Sequence, residues 1–169
     1  MSIETRALRS GRRQTGEFQS NRQSRWRLNP ADPQYGSEED CKVILIILFA
    51  QLLLFRNAPR LNDPVVVQIL ERDYLNHPIE VGSYRDALLL DHLDYQSFLD
   101  EIENPRHGHS EFHIGHQDPT LVPKHTPGNI YWRTYRSNLI QGNMTLRQAR
   151  IYMLKLIGRY FELGELEIN

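Results

Sequence analysis

Apolar residues in the middle of the chain recur at helical spacing between clear start and stop signals. The densest run, residues 43–55, follows Ser37 and three acidic residues, which suit the positive end of a helix dipole, and it is followed by Pro59. This pattern predicts a helix over residues 38–56. Asp63 before Pro64 has the form of a cap with proline at the first helical position, which predicts a second helix over residues 64–75.

Two shorter helices are predicted over residues 83–92 and 95–102. The apolar residues that form their buried faces are Leu88, Leu89, Leu93, Phe98 and Leu99. Residues 37–104 are therefore expected to form a small helical domain. The residues before it are rich in Arg, Gln, Ser and Asn and lack apolar periodicity, which predicts a flexible basic arm over residues 1–36. An unstructured terminus without a function explains the same composition.

The pattern changes after residue 104. Residues 110–114 and 129–132 favour two short strands, and the loop between them contains three prolines. Thr145 and Gln148 have the spacing of a capping box, and apolar residues recur on one side of a final helix that Gly164 ends; they are Leu146, Ile151, Leu154, Ile157 and Phe161. The chain is thus predicted to be α+β, with the helical domain followed by a distinct C-terminal module over residues 105–169.

Composition narrows the function only slightly. The chain has 169 residues, of which 40% are hydrophobic and 24% charged, and this balance excludes a disordered or fibrous protein. Cys41 is the single cysteine, which excludes an internal disulfide and a thiolate zinc cluster and favours a reducing, cytoplasmic location. The apolar run is too short for a bilayer, which takes roughly 20 apolar residues. No secretion signal is apparent at the start of the sequence.

Charge is distributed unevenly along the chain. Residues 1–30 sum to +5, residues 31–105 to −9 and residues 106–160 to +6. Two cationic ends on either side of an acidic middle favour a polyanion such as double-stranded DNA as the partner, because clustered Arg and Lys neutralise phosphates. A solvated surface without a nucleic-acid partner is the alternative.

The C-terminal module carries the chemistry. His116 follows the first predicted strand, Asn129 opens the second, and Asn138 lies beyond it, at intervals of 13 and 9 residues. With Pro119 after the histidine, this arrangement resembles the HNH endonucleases, a family also called ββα-metal or His-Me finger that includes restriction enzymes. The resemblance covers residues 111–143, about a fifth of the chain. It implies a ββα-metal fold and metal-dependent hydrolysis of DNA.

The resemblance implies a role for each of these residues. His116 corresponds to the general base that activates water, since a neutral imidazole accepts a proton near pH 7. Asn129 corresponds to the residue that hydrogen-bonds across the loop and orients the base. Asn138 corresponds to a metal ligand, and an amide oxygen suits Mg²⁺ or Mn²⁺ better than zinc.

The chain departs from the family at Gly115, where the family generally has a second metal ligand directly before the catalytic histidine. His113 and Glu111, on the adjoining strand, are the favoured replacements; Asp118 and His109 are alternatives. A structural zinc site is disfavoured despite five histidines between residues 107 and 125, because no cysteine accompanies them.

The last prediction concerns DNA contacts. Trp132 and Tyr135 alternate with cations near Asn138 and are expected in the core, whereas four arginines are expected to hold DNA phosphates; these are Arg133, Arg136, Arg147 and Arg150. A restriction or defence endonuclease is the expected function, with a homodimer as a possible assembly. A DNA-binding module with an inactive HNH site, and a protein-interaction scaffold that uses the acidic helical face, are the alternatives.

Overall fold

The computed structural model describes residues 22–104 and 110–165. The part of the predicted basic arm up to residue 21 lies outside the described residues, as do His107 and His109. Arg22–Arg27 forms a short 3-10 helix. Within the described ranges the fold mixes helices with one two-stranded sheet, in agreement with the predicted α+β class. No helix in these ranges is long and apolar enough to span a membrane.

Two predicted helices form at the predicted start positions. Helix α1, Glu38–Leu52, begins at Ser37, whose side chain accepts a hydrogen bond from the Asp40 amide at 3.0 Å. Helix α2, Pro64–Ile69, begins at Asp63, whose carboxylate accepts from two backbone amides, and it continues as a π-helical turn over Leu70–Leu75. Helix α1 ends four residues earlier than predicted, because the Arg56 amide donates to the carbonyl of Leu93 instead of extending the helix.

The helix predicted over residues 83–92 is not present, and that prediction was wrong. The buried carboxylate of Asp86 accepts hydrogen bonds from the amides of Leu88 and Leu89, at 2.8 and 2.9 Å, and Leu90 takes a positive φ of 64°. Asp86 also accepts from the Thr134 amide at 2.9 Å. The segment therefore folds as a turn that holds the end of the second strand. The next helix, α3, spans Tyr95–Glu103, close to its predicted range.

The C-terminal part has the order strand, loop, strand, helix, helix. Strand β1, Phe112–His116, pairs antiparallel with β2, Ile130–Thr134, and each lies one or two residues later than predicted. A 3-10 turn, Pro127–Asn129, leads into β2. Helix α4, Tyr135–Gln141, follows β2 directly, and α5, Leu146–Glu162, begins with the predicted capping box.

One apolar core joins the helical part to the hairpin. Phe55 from the turn after α1, Phe98 from α3 and Phe112 and Trp132 from the hairpin are all buried in it. The Phe98 ring meets Trp132 and Phe112 edge to face at 5.1 and 5.3 Å. The Trp132 indole also donates to the Leu48 carbonyl of α1 at 2.8 Å. One face of the hairpin is thus fixed against α1 and α3, which leaves its other face for α4.

Candidate active site

The two faces of the hairpin have different neighbours. Adjacent side chains on a strand point to opposite sides, and directly paired residues share a side. Because His113 pairs with Arg133 and Gly115 with Tyr131, these four residues share one face. That face is covered by α4, since the Arg133 guanidinium donates to the Ser137 hydroxyl of α4 at 3.0 Å.

The structure brings His113 and Asn138 together on this face. The Nδ1 atom of His113 lies 3.5 Å from the Nδ2 atom of Asn138, the fourth residue of α4. Two of the predicted metal ligands, 25 residues apart in the sequence, therefore meet. Glu111, the third, is exposed one residue before β1, where its amide donates to the Glu101 carboxylate at 2.7 Å. No cluster of three or more His, Cys, Asp or Glu is present in the parts of the chain that the structure describes.

His113 is kept neutral by its surroundings. Burial is the largest influence and lowers its pKa from the ordinary value of 6.5, and the positive charge of Arg133 lowers it further. A hydrogen bond with the Ser110 backbone and the charges of Glu101 and Glu111 act in the opposite direction without cancelling the effect. A neutral ring has a lone pair available for a metal ion or a proton, as both predicted roles of a site histidine require.

We expect the His113 ring in the metal-free protein to titrate with a midpoint below pH 6.5. A lowered pKa in the folded state stabilises the fold fully above the ordinary value, and this contribution is lost as the pH falls through the lowered pKa. An NMR titration of the ring protons checks this, with His113→Gln identifying the signal. A midpoint at or above the ordinary value would contradict the described burial.

Arg133 is not on the surface, where a phosphate contact requires it to be. The residue is 1% exposed, its guanidinium lies 5.3 Å from the centre of the Tyr131 ring, and Nη1 lies 3.5 Å from the Asn138 Oδ1 atom. Burial lowers its pKa, and its Nε atom has no hydrogen-bond partner among the described residues. The prediction of a direct DNA contact is corrected here: Arg133 supports Asn138 from beneath, in the space that Gly115 leaves.

Gly115 leaves that space because it has no side chain. A Cβ atom at position 115 would lie 2.1 Å from Arg133 Cδ and 2.9 Å from its Nε and Nη1 atoms. Such contacts are far shorter than atoms tolerate. The departure from the HNH pattern at Gly115 therefore has a steric explanation, because the buried Arg133 side chain occupies the space that a side chain at position 115 would need.

Asn129 closes the loop between the strands. Its side-chain oxygen accepts from the Asp118 amide at 2.7 Å, and its amide nitrogen donates to the carbonyls of Asp118 and Lys124, both at 2.8 Å. All three contacts go to backbone atoms of the loop, and Asn129 is buried. Asn129 therefore braces the loop between β1 and β2 through its backbone.

His116 lies on the other face of β1. It pairs with Ile130, its Nε2 atom is buried, and its ring centre is 6.2 Å from that of the fully buried His125. Its carbonyl accepts from the Gln141 side chain of α4 at 3.0 Å. His116 is therefore held at the end of the strand, with its backbone fixed to α4 and its ring directed away from His113.

The remaining predicted DNA contacts are on the surface. Arg136 on α4 and Arg147 and Arg150 on α5 are exposed, and Arg150 donates to the Ala87 carbonyl at 2.6 Å. Ser137 and Gln141, both buried on α4, connect the helix to the hairpin. No sequence motif indicates a role for Ser137. Its hydroxyl is identified only by the structure, as the acceptor of a hydrogen bond from Arg133, four residues earlier.

These elements define a mixed helix and strand protein whose polar site lies between a β-hairpin and the helix that follows it. The structure is similar to one described as the crystal structure of a type II restriction endonuclease, with a TM-score of 0.62 and 18% sequence identity. The match covers 77% of this chain and 55% of that chain, so this chain spans about half the length of that enzyme. The similarity establishes a shared, restriction-endonuclease-like fold. No protein-family model and no curated protein matches the sequence.

Proposed function

We propose that this chain is an HNH-type, metal-dependent endonuclease that hydrolyses phosphodiester bonds of double-stranded DNA, as a restriction or defence enzyme. The observation that carries the proposal is the meeting of His113 and Asn138 beside a strand, loop, strand and helix with HNH-like intervals. The fold shared with a type II restriction endonuclease supports it. The proposed phosphate contacts are the exposed arginines of the two helices that follow the hairpin, Arg136, Arg147 and Arg150.

His113 and Asn138 would hold a divalent ion such as Mg²⁺ or Mn²⁺ through a neutral ring and an amide oxygen. This requires the Asn138 amide to turn, since its nitrogen faces His113 and its oxygen faces Arg133. Glu111 is the third residue that would hold the ion. A bound ion supplies a Lewis acid that polarises the phosphate and lowers the pKa of water. His116 accepts the proton of the attacking water. Asn129 holds the loop that joins the end of β1 to the start of β2.

The proposal requires a rearrangement of His116. Its ring packs beside His125 on the face of β1 opposite His113, so it must turn towards the phosphate when DNA binds. Catalytic hydrogen bonds often form only in the substrate complex. His113 is the alternative base, since its ring already lies on the side of Asn138.

A second candidate function is DNA binding without cleavage. The observation that favours it is the Arg133 guanidinium, which lies 3.5 Å from the same Asn138 oxygen that a metal ion requires. Two cations near one oxygen repel each other, so Arg133 weakens metal binding unless a phosphate is present. A protein-interaction scaffold remains the third alternative, in which the net charge of −9 over residues 31–105 recruits the partner.

The proposal predicts that the purified chain cuts plasmid DNA of varied sequence in the presence of Mg²⁺ or Mn²⁺ and is inactive with EDTA. Because Asn138 is a proposed metal ligand, Asn138→Ala should lower the cleavage rate by about 10–100-fold, the usual effect of weakening a metal site. Asn138→Asp keeps an oxygen ligand and should retain cleavage. Electrophoresis of the products and of DNA complexes on native gels measures both properties.

The outcomes separate the three candidate functions. Metal-dependent cutting that requires an oxygen at position 138 supports the endonuclease. A salt-dependent shift of duplex DNA without cutting under any metal condition would indicate the binding module instead. The absence of both DNA binding and cleavage at physiological salt would leave the scaffold.

A further inference from the structure

The loop between the two strands carries an exposed apolar pair. This pair, here called the loop tip, consists of Leu121 and Val122, which are 45% and 68% exposed, and Pro123 after them is exposed as well. A single exposed apolar residue is ordinary, because folded proteins leave much apolar surface in contact with water. Adjacent ones in the middle of a loop form a small continuous patch instead. The two side chains contribute little to the core, which leaves them available for a contact outside the chain.

Polar contacts hold the loop that carries the tip in one conformation. The side-chain nitrogen of Asn129 donates to the carbonyls of Asp118 and Lys124, both at 2.8 Å, so one nitrogen atom closes the segment between them. Within this segment the Asp118 carboxylate accepts from the amide and the hydroxyl of Thr120, at 2.8 and 2.6 Å. Two prolines in the same segment fix two further backbone angles. A tip that is ordered beforehand loses little conformational entropy on binding, which favours a binding role.

The start of the loop lies beside a proposed phosphate contact. The carbonyl of Gln117, the first loop residue, accepts from the Leu146 amide at 2.9 Å. Leu146 is the first residue of α5, and Arg147 directly after it is exposed. The grooves of B-form DNA are about 6 and 12 Å wide and are bordered by phosphates, so a side chain that enters a groove lies within that distance of a phosphate. Arg147 can therefore hold a phosphate while the loop tip enters the adjoining groove.

Charge favours DNA over a protein as the partner of the loop tip. Residues 106–160 carry a net charge of +6, and the carboxylate of Asp118 is engaged within the loop by Thr120. Phosphates attract a cationic surface of this kind, and the base edges in a groove accept apolar side chains. Leucine and proline are among the residues that DNA-binding proteins insert between base steps. An apolar tip within a cationic region thus suits a DNA groove.

We propose that Leu121 and Val122 enter a groove of duplex DNA and pack against the bases, while Arg147 holds a neighbouring phosphate. This contact rests on the proposed function for its partner, double-stranded DNA, but it needs neither a metal ion nor cleavage. An apolar contact releases no counterions, so it strengthens DNA binding without adding to the salt dependence. The loop tip and Arg147 therefore differ in a property that can be measured.

Substitution of the loop tip tests the contact. Leu121→Ser combined with Val122→Ser should weaken binding to a fluorescently labelled duplex at least about tenfold, because burial of one leucine or valine side chain is worth about a factor of ten or more in an equilibrium constant. Leu121→Met combined with Val122→Ile keeps the apolar surface and should bind like the wild type. Fluorescence anisotropy in EDTA measures binding without cleavage, and thermal unfolding checks that each variant folds.

The chain offers a matched control in the helical part. Leu61 and Val65 are also a leucine and a valine, 40% and 63% exposed, and they lie near the start of α2. Leu61→Ser combined with Val65→Ser removes the same apolar surface and should leave DNA affinity unchanged. Equal losses in this control and in the loop-tip variant would overturn the proposal, because the effect would then not depend on the loop.

Salt titration separates the apolar contact from a phosphate contact. The serine variant of the loop tip should keep the wild-type slope of log affinity against log salt concentration, whereas Arg147→Ala should reduce this slope by about one. Wild-type affinity in the serine variant would overturn the proposal and would leave the tip to a protein partner. Absence of DNA binding by the wild-type chain in EDTA would overturn it as well. The plasmid cleavage assay decides the endonuclease function separately, so a chain that cuts DNA but binds it equally well without the apolar tip loses this contact alone.

Discussion

Replacing His116 with alanine is expected to lower metal-dependent DNA cleavage by about 10²–10⁴-fold, which is the usual contribution of a positioned general base. The metal concentration that gives half-maximal activity should not change, because His116 is not one of the proposed ligands, of which His113 and Asn138 lie together on the other face of β1. Initial rates of plasmid cleavage over a range of Mg²⁺ and Mn²⁺ concentrations measure both quantities.

The neighbouring histidine provides the contrast. His113→Ala removes a proposed metal ligand, so it should raise the metal concentration required and be partly rescued by excess Mn²⁺. His77→Ala is the matched control, because His77 is exposed and its ring contacts the carbonyl of Pro78, outside the proposed site. It should cut DNA at the wild-type rate. The two β1 variants thus differ in metal dependence as well as in rate.

The opposite pattern of results would reassign the base. If His116→Ala retains cleavage while His113→Ala abolishes it at every metal concentration, the proton is accepted on the α4 side of the hairpin. The buried ring of His116 beside His125 would then be part of the support for the loop. If both variants fold normally and neither cuts DNA at the usual metal concentration, the proposed division of roles holds only if His113→Ala regains cleavage at a higher metal concentration.

The features that the sequence predicted well depend on local chemistry. Ser37, Asp63 and Thr145 each satisfy amides within three residues, so the start of each helix can be recognised from a few adjacent positions. The hairpin was predicted within two residues at each end for a similar reason, because β-prone residues alternate with turn residues there. Helix starts and strand positions were therefore largely predictable.

The features that were missed depend on contacts between distant segments. Asp86 accepts from Thr134, 48 residues away, so the turn at residues 83–92 could not be distinguished from a short amphipathic helix. Arg133 has the polarity of a surface residue, and only the glycine that lies diagonally across the sheet, Gly115, makes room for its burial. The pairing that brings His113 to Asn138 depends in the same way on strand register and on the position of α4, which spacing alone does not determine.

Placing a side chain at Gly115 should destabilise the protein strongly. The Cβ atom of Gly115→Ala would lie 2.1 Å from Arg133 Cδ, and Arg133 cannot move away easily because it is buried and hydrogen-bonded to Ser137. Overpacking of this kind costs about 1–3 kcal/mol and occasionally more, and we expect about 3 kcal/mol or above here. Gly128→Ala is the matched control, since a Cβ atom there meets nothing within 4 Å. Urea unfolding of both variants measures the difference.

A double substitution shows whether the arginine is the cause. If the loss in Gly115→Ala arises from Arg133, then Gly115→Ala combined with Arg133→Ala should be more stable than the sum of the two single effects by about 1–3 kcal/mol. Additive effects would place the strain in the backbone of β1 instead. The same double background tests the departure from the HNH pattern, because Gly115→Asp with Arg133→Ala places a carboxylate where the family carries its second ligand. Tighter Mn²⁺ binding by that variant, measured by calorimetry, would show that Arg133 and a metal ligand compete for one volume beside Asn138.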